Sequence, residues 1–275
     1  MTSDNELAVY RVRARNTAVE SENKIHDDAV ASQYGFRGGL VPGVVVYAYM
    51  TVPLVERFER AWLERGSMQV KFHHPFYEDD EVIVRGEVDA SAEPIKVTVT
   101  ASRDDGAVCA SGLATIDEDF MWLGEPRLEF FPEKPLPPSA SRCVASRETL
   151  VKGMVLGAVT ERLDLADTSL LEIIGERLPI YFGPSAVAHP IVYLNLANQI
   201  LMRNFKLGPW IHAASDVINW SFARSGETIS ARGRIRDCYE RKGHEFVVVD
   251  LLLVANSNRI VQQVRHTAIY RPRVK

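Results

Sequence analysis

The chain has 275 residues, a formal net charge of −4, 46% hydrophobic and 25% charged residues. That balance implies a true core and excludes a disordered chain, and the negative charge argues against a nucleic-acid partner, which needs clustered cations. Cys109, Cys143 and Cys238 are scattered without CxxC spacing, so neither a disulfide framework nor a zinc site is suggested.

The first residues, Met1-Thr2-Ser3-Asp4-Asn5-Glu6, are polar and acidic, unlike a signal peptide. The longest apolar stretch, Val41 to Val55, contains Pro53 and is too short to span a bilayer. The expectation is a cytoplasmic protein without membrane contact. A strand is predicted near Val9–Ala18. Within it Arg11, Arg13 and Arg15 alternate with apolar residues, which reads as a strand's outer face or as a local site for an anionic cofactor such as coenzyme A. The polar loop Glu20-Ser21-Glu22-Asn23-Lys24-Ile25-His26 follows. Next come a short helix near Asp28–Tyr34, a Gly-rich turn through Gly38, Gly39, Val41 and Pro42, and a long helix from about Gly43 to Arg65.

Strands are then expected near Met68–Phe76, Glu81–Ala90, Ile95–Arg103 and Ala107–Ile116, from alternating apolar and polar positions. Asp104-Asp105-Gly106 suits a hairpin turn, because Asp-Gly tolerates positive φ. Five prolines between Asp117 and Arg142 cannot continue a helix or a central strand, so this is a connector. Its aromatic residues Phe120, Trp122, Phe130 and Phe131 imply packing along a surface. Beyond it a helix is expected over Pro190–Asn204, then strands near His212–Phe222, Glu227–Cys238, His244–Val254 and Arg259–Tyr270.

The halves repeat each other. Arg85-Gly86 matches Arg232-Gly233, Tyr34 matches Tyr181 and Pro42 matches Pro190, at a common offset of about 147 residues, far longer than a solenoid period. The predicted division is therefore residues 1–117, a linker over 118–142, and residues 143–275. A helix apolar on nearly every side must be buried all round. Followed by an antiparallel meander, it implies a sheet wrapped around a helix. The predicted class is α+β, a double hot dog of two tandem repeats.

These residues resemble the hydratase-2, or MaoC-like dehydratase, family. Its motif runs Asp-x-Asn-Pro-(Leu/Ile/Val)-His, then Gly-Phe, then His-Gly at the central helix. Here Asn23-Lys24-Ile25-His26 fits with Lys24 in place of proline, Gly35-Phe36 fits, and Leu40-Val41-Pro42-Gly43 fits with Pro42 in place of histidine. The motif aspartate falls on Ser21, flanked by Glu20 and Glu22. The resemblance implies interconversion of a trans-2-enoyl and an (R)-3-hydroxyacyl thioester. It makes His26 the acid/base, Asn23 the residue that positions the water or braces the loop, and Ser21, Glu20 or Glu22 the group that orients the water. Gly43, with Gly38, Gly39 and Val41, would form the oxyanion and substrate-binding turn. Coenzyme A or acyl carrier protein belongs to the substrate, so no separate cofactor or metal is implied, and a homodimer is left open. The rival readings are a non-catalytic acyl-thioester binder or silent subunit, and a hot-dog thioesterase using Glu22 as base.

Bland readings compete elsewhere. His26 could be a surface-loop histidine. Adjacent His73 and His74 point to opposite faces of a strand and do not suit one metal ion. His189 at the second helix entry reads as structural. Asn195, Asn198 and Gln199 line a cavity or are satisfied buried amides. Tyr47, Tyr49 and Met50 read as core or tunnel wall.

Overall fold

The computed structural model describes residues 5–117 and 126–274. The expectations for Met1 to Asp4, Phe120 and Trp122 fall outside these residues.

One antiparallel sheet of ten strands dominates, in the order β1-β3-β4-β5-β2-β9-β12-β11-β10-β7. Its first half is β1 (Tyr10–Arg13), β2 (Gly66–Phe72), β3 (Glu81–Asp89), β4 (Ile95–Ser102) and β5 (Val108–Ile116). Its second half is β7 (Val159–Arg162), β9 (Ile211–Asn219), β10 (Thr228–Arg241), β11 (His244–Ala255) and β12 (Arg259–Arg271). Read outward from the centre, the two halves are images of one another, and Gly86 and Gly233 occupy the same place in β3 and β10. The halves join where β2 pairs antiparallel with β9, from Ser67↔Ile218 to Lys71↔Ala214. This pairing consumes an edge of each half and so removes two rows of unpaired backbone groups. A separate parallel bridge joins β6 (Cys143–Val144) to β8 (Phe205–Lys206).

Each half wraps one helix. After the short α1 (Asp28–Gln33) comes α2 (Gly43–Arg65), every residue of which from Val44 to Val55 is buried. Charged side chains begin at Glu56, and the helix breaks at Glu59, whose φ is 50°. The short α3 (Ser169–Ile173) precedes α4 (Pro190–Asn204), which packs against α2. The sheet with its two central helices gives the α+β double hot dog expected from the sequence.

Strand and helix bounds fall close to the predicted ones, with differences where tertiary contacts decide. The first strand is only four residues long. Arg11 within it meets Glu81, and Arg15 just beyond it meets Glu78 and Asp79, so these arginines decorate an outer face. The sequence did not flag β7, which is formed by pairing with β10. In the connector Phe131 is buried against Leu252, Val254 and Ile260 on the outer face of the second half, while Phe130 is exposed.

Two polar ties reinforce the central seam. Asn219 Nδ2 donates to the Trp62 carbonyl at 2.9 Å, and Gln262 Nε2 donates to Asn219 Oδ1 at 2.8 Å. The second tie, through Asn23, belongs to the site.

Candidate functional site

The site grows from the entry to α2. Pro42 holds the N-cap place with extended backbone and makes no side-chain cap bond. The first amides of a helix have no intrahelical acceptor, and the helix dipole makes this end favourable for negative charge. Gly43 lines a mostly apolar cavity of about 240 Å³, together with Leu40, Val41, Val46, Phe72 and Phe76 from the first half and Trp210, Ile211 and His212 from the second.

His26 is brought to the same cavity by a short 3-10 turn, Lys24–His26, capped by Asn23. His26 Nδ1 lies 2.7 Å from the Leu40 carbonyl oxygen, which can only accept, so Nδ1 carries the proton. Burial lowers the imidazole pKa below its ordinary value, and the Leu40 bond offsets part of that shift. The ring is therefore neutral at pH 7, with its one lone pair on Nε2.

Asn23 reaches across the molecule. Its Nδ2 donates to the Trp210 carbonyl at 2.9 Å, and its Oδ1 accepts from the Trp210 amide at 3.0 Å. This two-point pairing fixes the amide's orientation. Oδ1 also accepts from Ile25 N, and the second Nδ2 proton faces His26 Nε2 at 3.3 Å. All four hydrogen-bonding positions of the amide are then used. Of the two roles expected for Asn23, the geometry matches bracing rather than holding water: Asn23 ties the two halves together and steadies the His26 ring. Asn23→Ala would strand the buried Trp210 amide and carbonyl. At about 1–3 kcal/mol for each orphaned group, a loss of about 3 kcal/mol is expected in urea unfolding, and a loss below about 1 kcal/mol would contradict this role.

The other predicted residues separate. Ser21 Oγ donates to the Asn23 carbonyl at 3.1 Å, so it braces the loop, and Ser21 does not line the cavity. Glu20 and Glu22 are exposed, and Glu22 borders a different pocket with Arg142 and Lys206. No aspartate or glutamate lines the main cavity among the described residues. Gly38 and Gly39 face a second groove behind the loop, and the Gly39 amide already donates to Asp28 Oδ1 at 2.7 Å. A Cβ on Gly39 would collide with the His26 carbonyl, so this glycine is needed for packing rather than for an oxyanion. The Val41 amide donates to the Phe76 carbonyl, leaving Val41 only its side chain to offer. Of the four predicted turn residues only Val41 and Gly43 line this cavity, and of these only Gly43 keeps its amide for a ligand.

His73 and His74 follow the end of β2, where strand alternation no longer applies, and both line the cavity at its exposed rim. No group of three metal-ligating side chains is found among the described residues. Asn198 does line the cavity, with Oδ1 buried and unpartnered.

Sequence reasoning missed His212. A register shift between Thr267 and Ala268 leaves Ala213 as the extra residue of β9. His212 and Ser215 then both turn inward, although they are three residues apart. A strict two-residue period would have put them on opposite faces, so no signal in the sequence marks the pair.

The second repeat closes what the first leaves open. His189 Nδ1 accepts the Ile191 amide at 3.1 Å, capping α4, while its Nε2 donates to Glu176 Oε2 at 3.1 Å. Glu176 Oε1 accepts from the Arg177 and Leu178 amides. Burial pushes the Glu176 carboxyl up, but His189 and these amides together hold it below the usual range. His189 is structural, as expected, and the N-terminus of α4 is stoppered by the protein itself.

No protein-family model matches the chain, and a search of curated proteins finds no match. Solved structures do match along its length. A MaoC-domain protein of Chloroflexus aurantiacus, assigned as a dehydratase, aligns with a TM-score of 0.67 at 12% identity, over 97% of this chain and 95% of that one. A Mycobacterium tuberculosis protein with a double hot-dog fold gives 0.64 at 14%, over 96% of both chains. A Thermobifida fusca protein assigned as a thioesterase II gives 0.51 at 17%, over 98% and 93%. The chain is thus a double hot-dog protein, built on the fold it shares with MaoC-like dehydratases.

Proposed function

We propose that the protein binds an acyl thioester with its carbonyl at the N-terminus of α2, and adds water to a trans-2-enoyl thioester or removes it from the (R)-3-hydroxyacyl form. The observation that carries this reading is one apolar cavity holding both an uncapped helix entry at Gly43 and the neutral imidazole of His26. As the water oxygen bonds to C3, His26 Nε2 gives up its 3.3 Å contact with Asn23 Nδ2 and takes the water's proton. The C2–C3 π pair moves to C1–C2, and the carbonyl π pair moves onto oxygen, beside the Gly43 amide. When the carbonyl re-forms, the imidazolium returns the proton to C2. One residue serves as base and then acid, and no cofactor beyond the coenzyme A or acyl carrier protein of the substrate is required.

The cavity holds the volume of roughly eight waters, so short enoyl groups are expected to turn over faster than long ones. A second reading, a non-catalytic acyl-thioester binder, is favoured by one feature: among the described residues no carboxylate stands in the cavity to help activate water. The thioesterase reading loses its base, because Glu22 faces solvent away from the cavity.

The test follows enoyl-thioester absorbance over a short-to-long acyl-CoA panel, with free thiol measured in parallel. Loss of absorbance without thiol supports hydration. Thiol release would replace it with thioester hydrolysis, and saturable binding without turnover would establish the binder.

A further inference from the structure

The wall supplied by the second repeat contains a polar chain that the reaction above does not use. His212 Nε2 lies 2.8 Å from Ser215 Oγ, which lies 3.2 Å from His266 Nδ1. The three residues are buried, at 6%, 1% and 0% exposure. Both outer ring nitrogens, His212 Nδ1 and His266 Nε2, lack a partner. His212 Nδ1 lies against the entry of α2: a Cβ built on Gly43 would come within 2.8 Å of it. Glycine is therefore required here for the close approach of an imidazole.

The protons can be placed by counting donors. Ser215 has one proton, so it donates to one ring and accepts from the other. Were it to donate to His266 Nδ1, the His266 proton would sit on Nε2, an N–H stranded in the core. Were it to donate to His212 Nε2, His266 would give its Nδ1 proton to Ser215, and His212 would carry its own on Nδ1 in the cavity wall. A buried N–H without an acceptor is the rarer and costlier orphan. The second arrangement leaves a bare nitrogen on the fully buried His266 and sets the spare N–H beside the entry of α2, on a residue that lines the cavity.

We propose that His212 Nδ1–H is a second donor to the thioester oxygen, completing from the second repeat the oxyanion site begun by the Gly43 amide of the first. This assignment rests on the acyl-thioester reading of the same cavity. Burial and the neighbouring His266 ring hold the His212 pKa well below its ordinary value, although the Ala214 backbone offsets part of that, and the positive end of α2 also opposes a charge there. It therefore polarises the carbonyl as a neutral donor and leaves proton transfer to His26. With no carboxylate among the described residues of the cavity to help deprotonate water, a stronger pull on the thioester oxygen makes C3 more electrophilic and lowers the demand on the base.

In turnover, His212→Phe is expected to lower kcat by about 10²–10³-fold, as for loss of one oxyanion donor, with KM little changed. His212→Gln, which keeps an N–H, is expected to recover part of this loss, and a kcat for His212→Phe within threefold of wild type would overturn the assignment. The decisive readout needs no turnover: the carbonyl stretch of 1-¹³C-crotonyl-CoA bound to the His26→Ala protein. It is expected below its solution value there and close to that value in the double variant with His212→Phe. A shift that survives the second substitution in folded protein overturns the proposal. A lowered stretch lost with His212, in a protein that never hydrates, supports the donor while removing the hydratase reading. Absence of any thioester binding overturns both. Should His212→Phe fail to fold, ¹⁵N spectra of the wild-type histidines decide: a protonated Nδ1 on His212 supports the assignment, and a protonated Nε2 refutes it.

Discussion

Alanine at position 26 is expected to lower kcat for enoyl-thioester hydration by about 10²–10⁴-fold, the usual contribution of a positioned general base. The size follows from the lack of a substitute in the cavity. His212 is held neutral beside a helix N-terminus, His73 and His74 stand at the exposed rim, His244 spends its Nδ1 lone pair on the Arg273 amide, and no carboxylate lines the wall among the described residues. His26→Gln separates the base from a mere hydrogen-bonding role, because an amide can hold water but cannot take its proton. It should therefore lose as much activity as alanine. A glutamine variant retaining more than about a tenth of wild-type kcat would mean that His26 only positions the water. The pH profile carries the same sign. The reaction needs neutral His26, whose pKa lies below its ordinary value of 6.5 through burial. Activity should be level above pH 6.5 and fall only below it, and an acid limb centred above 6.5 would contradict the buried, neutral ring.

Mild acid should destabilise the fold, by about 1.4 kcal/mol for each pH unit below 6 from His266, with His212 adding to the loss. Burial drives the His266 pKa down to about 3, and burial with the adjacent His266 ring drives His212 well below 6.5. Above pH 6.5 both rings are neutral in folded and unfolded chains, and stability is at its full value. Below it the unfolded chain takes up protons that the folded core refuses. Stability is lost as the pH falls from 6.5 toward 3, with His266 alone accounting for about 4–5 kcal/mol over that span. That is a large share of the ~5–15 kcal/mol by which folded proteins are stable. Glu176 and Glu227, whose carboxyls are held below the usual range, lose their contributions only as they protonate below about 4.5. The window from pH 6.5 to 5 thus belongs to the histidines. Urea unfolding at pH 7, 6 and 5 measures the slope, and His266→Gln should reduce it by about 1.4 kcal/mol per unit. A stability that stays flat to pH 5 would show that these rings are not buried and neutral.

The repeat, the two central helices and eight of the long strands were legible in the chain because each rests on local periodicity. The run from Val44 to Val55 has no polar face to offer water, so it had to become the centre of something. The alternation of β3 and β4 and the Asp-Gly turn before β5 fix extended chain and hairpin with little outside help. The motif from Asn23 to His26 also declared itself, as did the glycine at the helix entry.

What the sequence by itself determined was which segments are buried, that the chain is duplicated, and which residues come near the helix entry. The tertiary structure alone decided what those residues do. Asn23 spends its amide on Trp210, 187 positions away in the chain, and no spacing rule reports a partner so distant. Glu20 and Glu22 face outward because their loop turns at Asn23, and Gly39 gives its amide to Asp28. His212 enters the cavity only because one residue is inserted in β9 opposite Thr267 and Ala268. A side chain's face in a strand follows a period of two, and a single bulge reverses it for all that follows. The first repeat's helix entry stays open while His189 closes the second. That asymmetry between two copies of one fold was set by contacts between distant residues, not by either copy's own pattern.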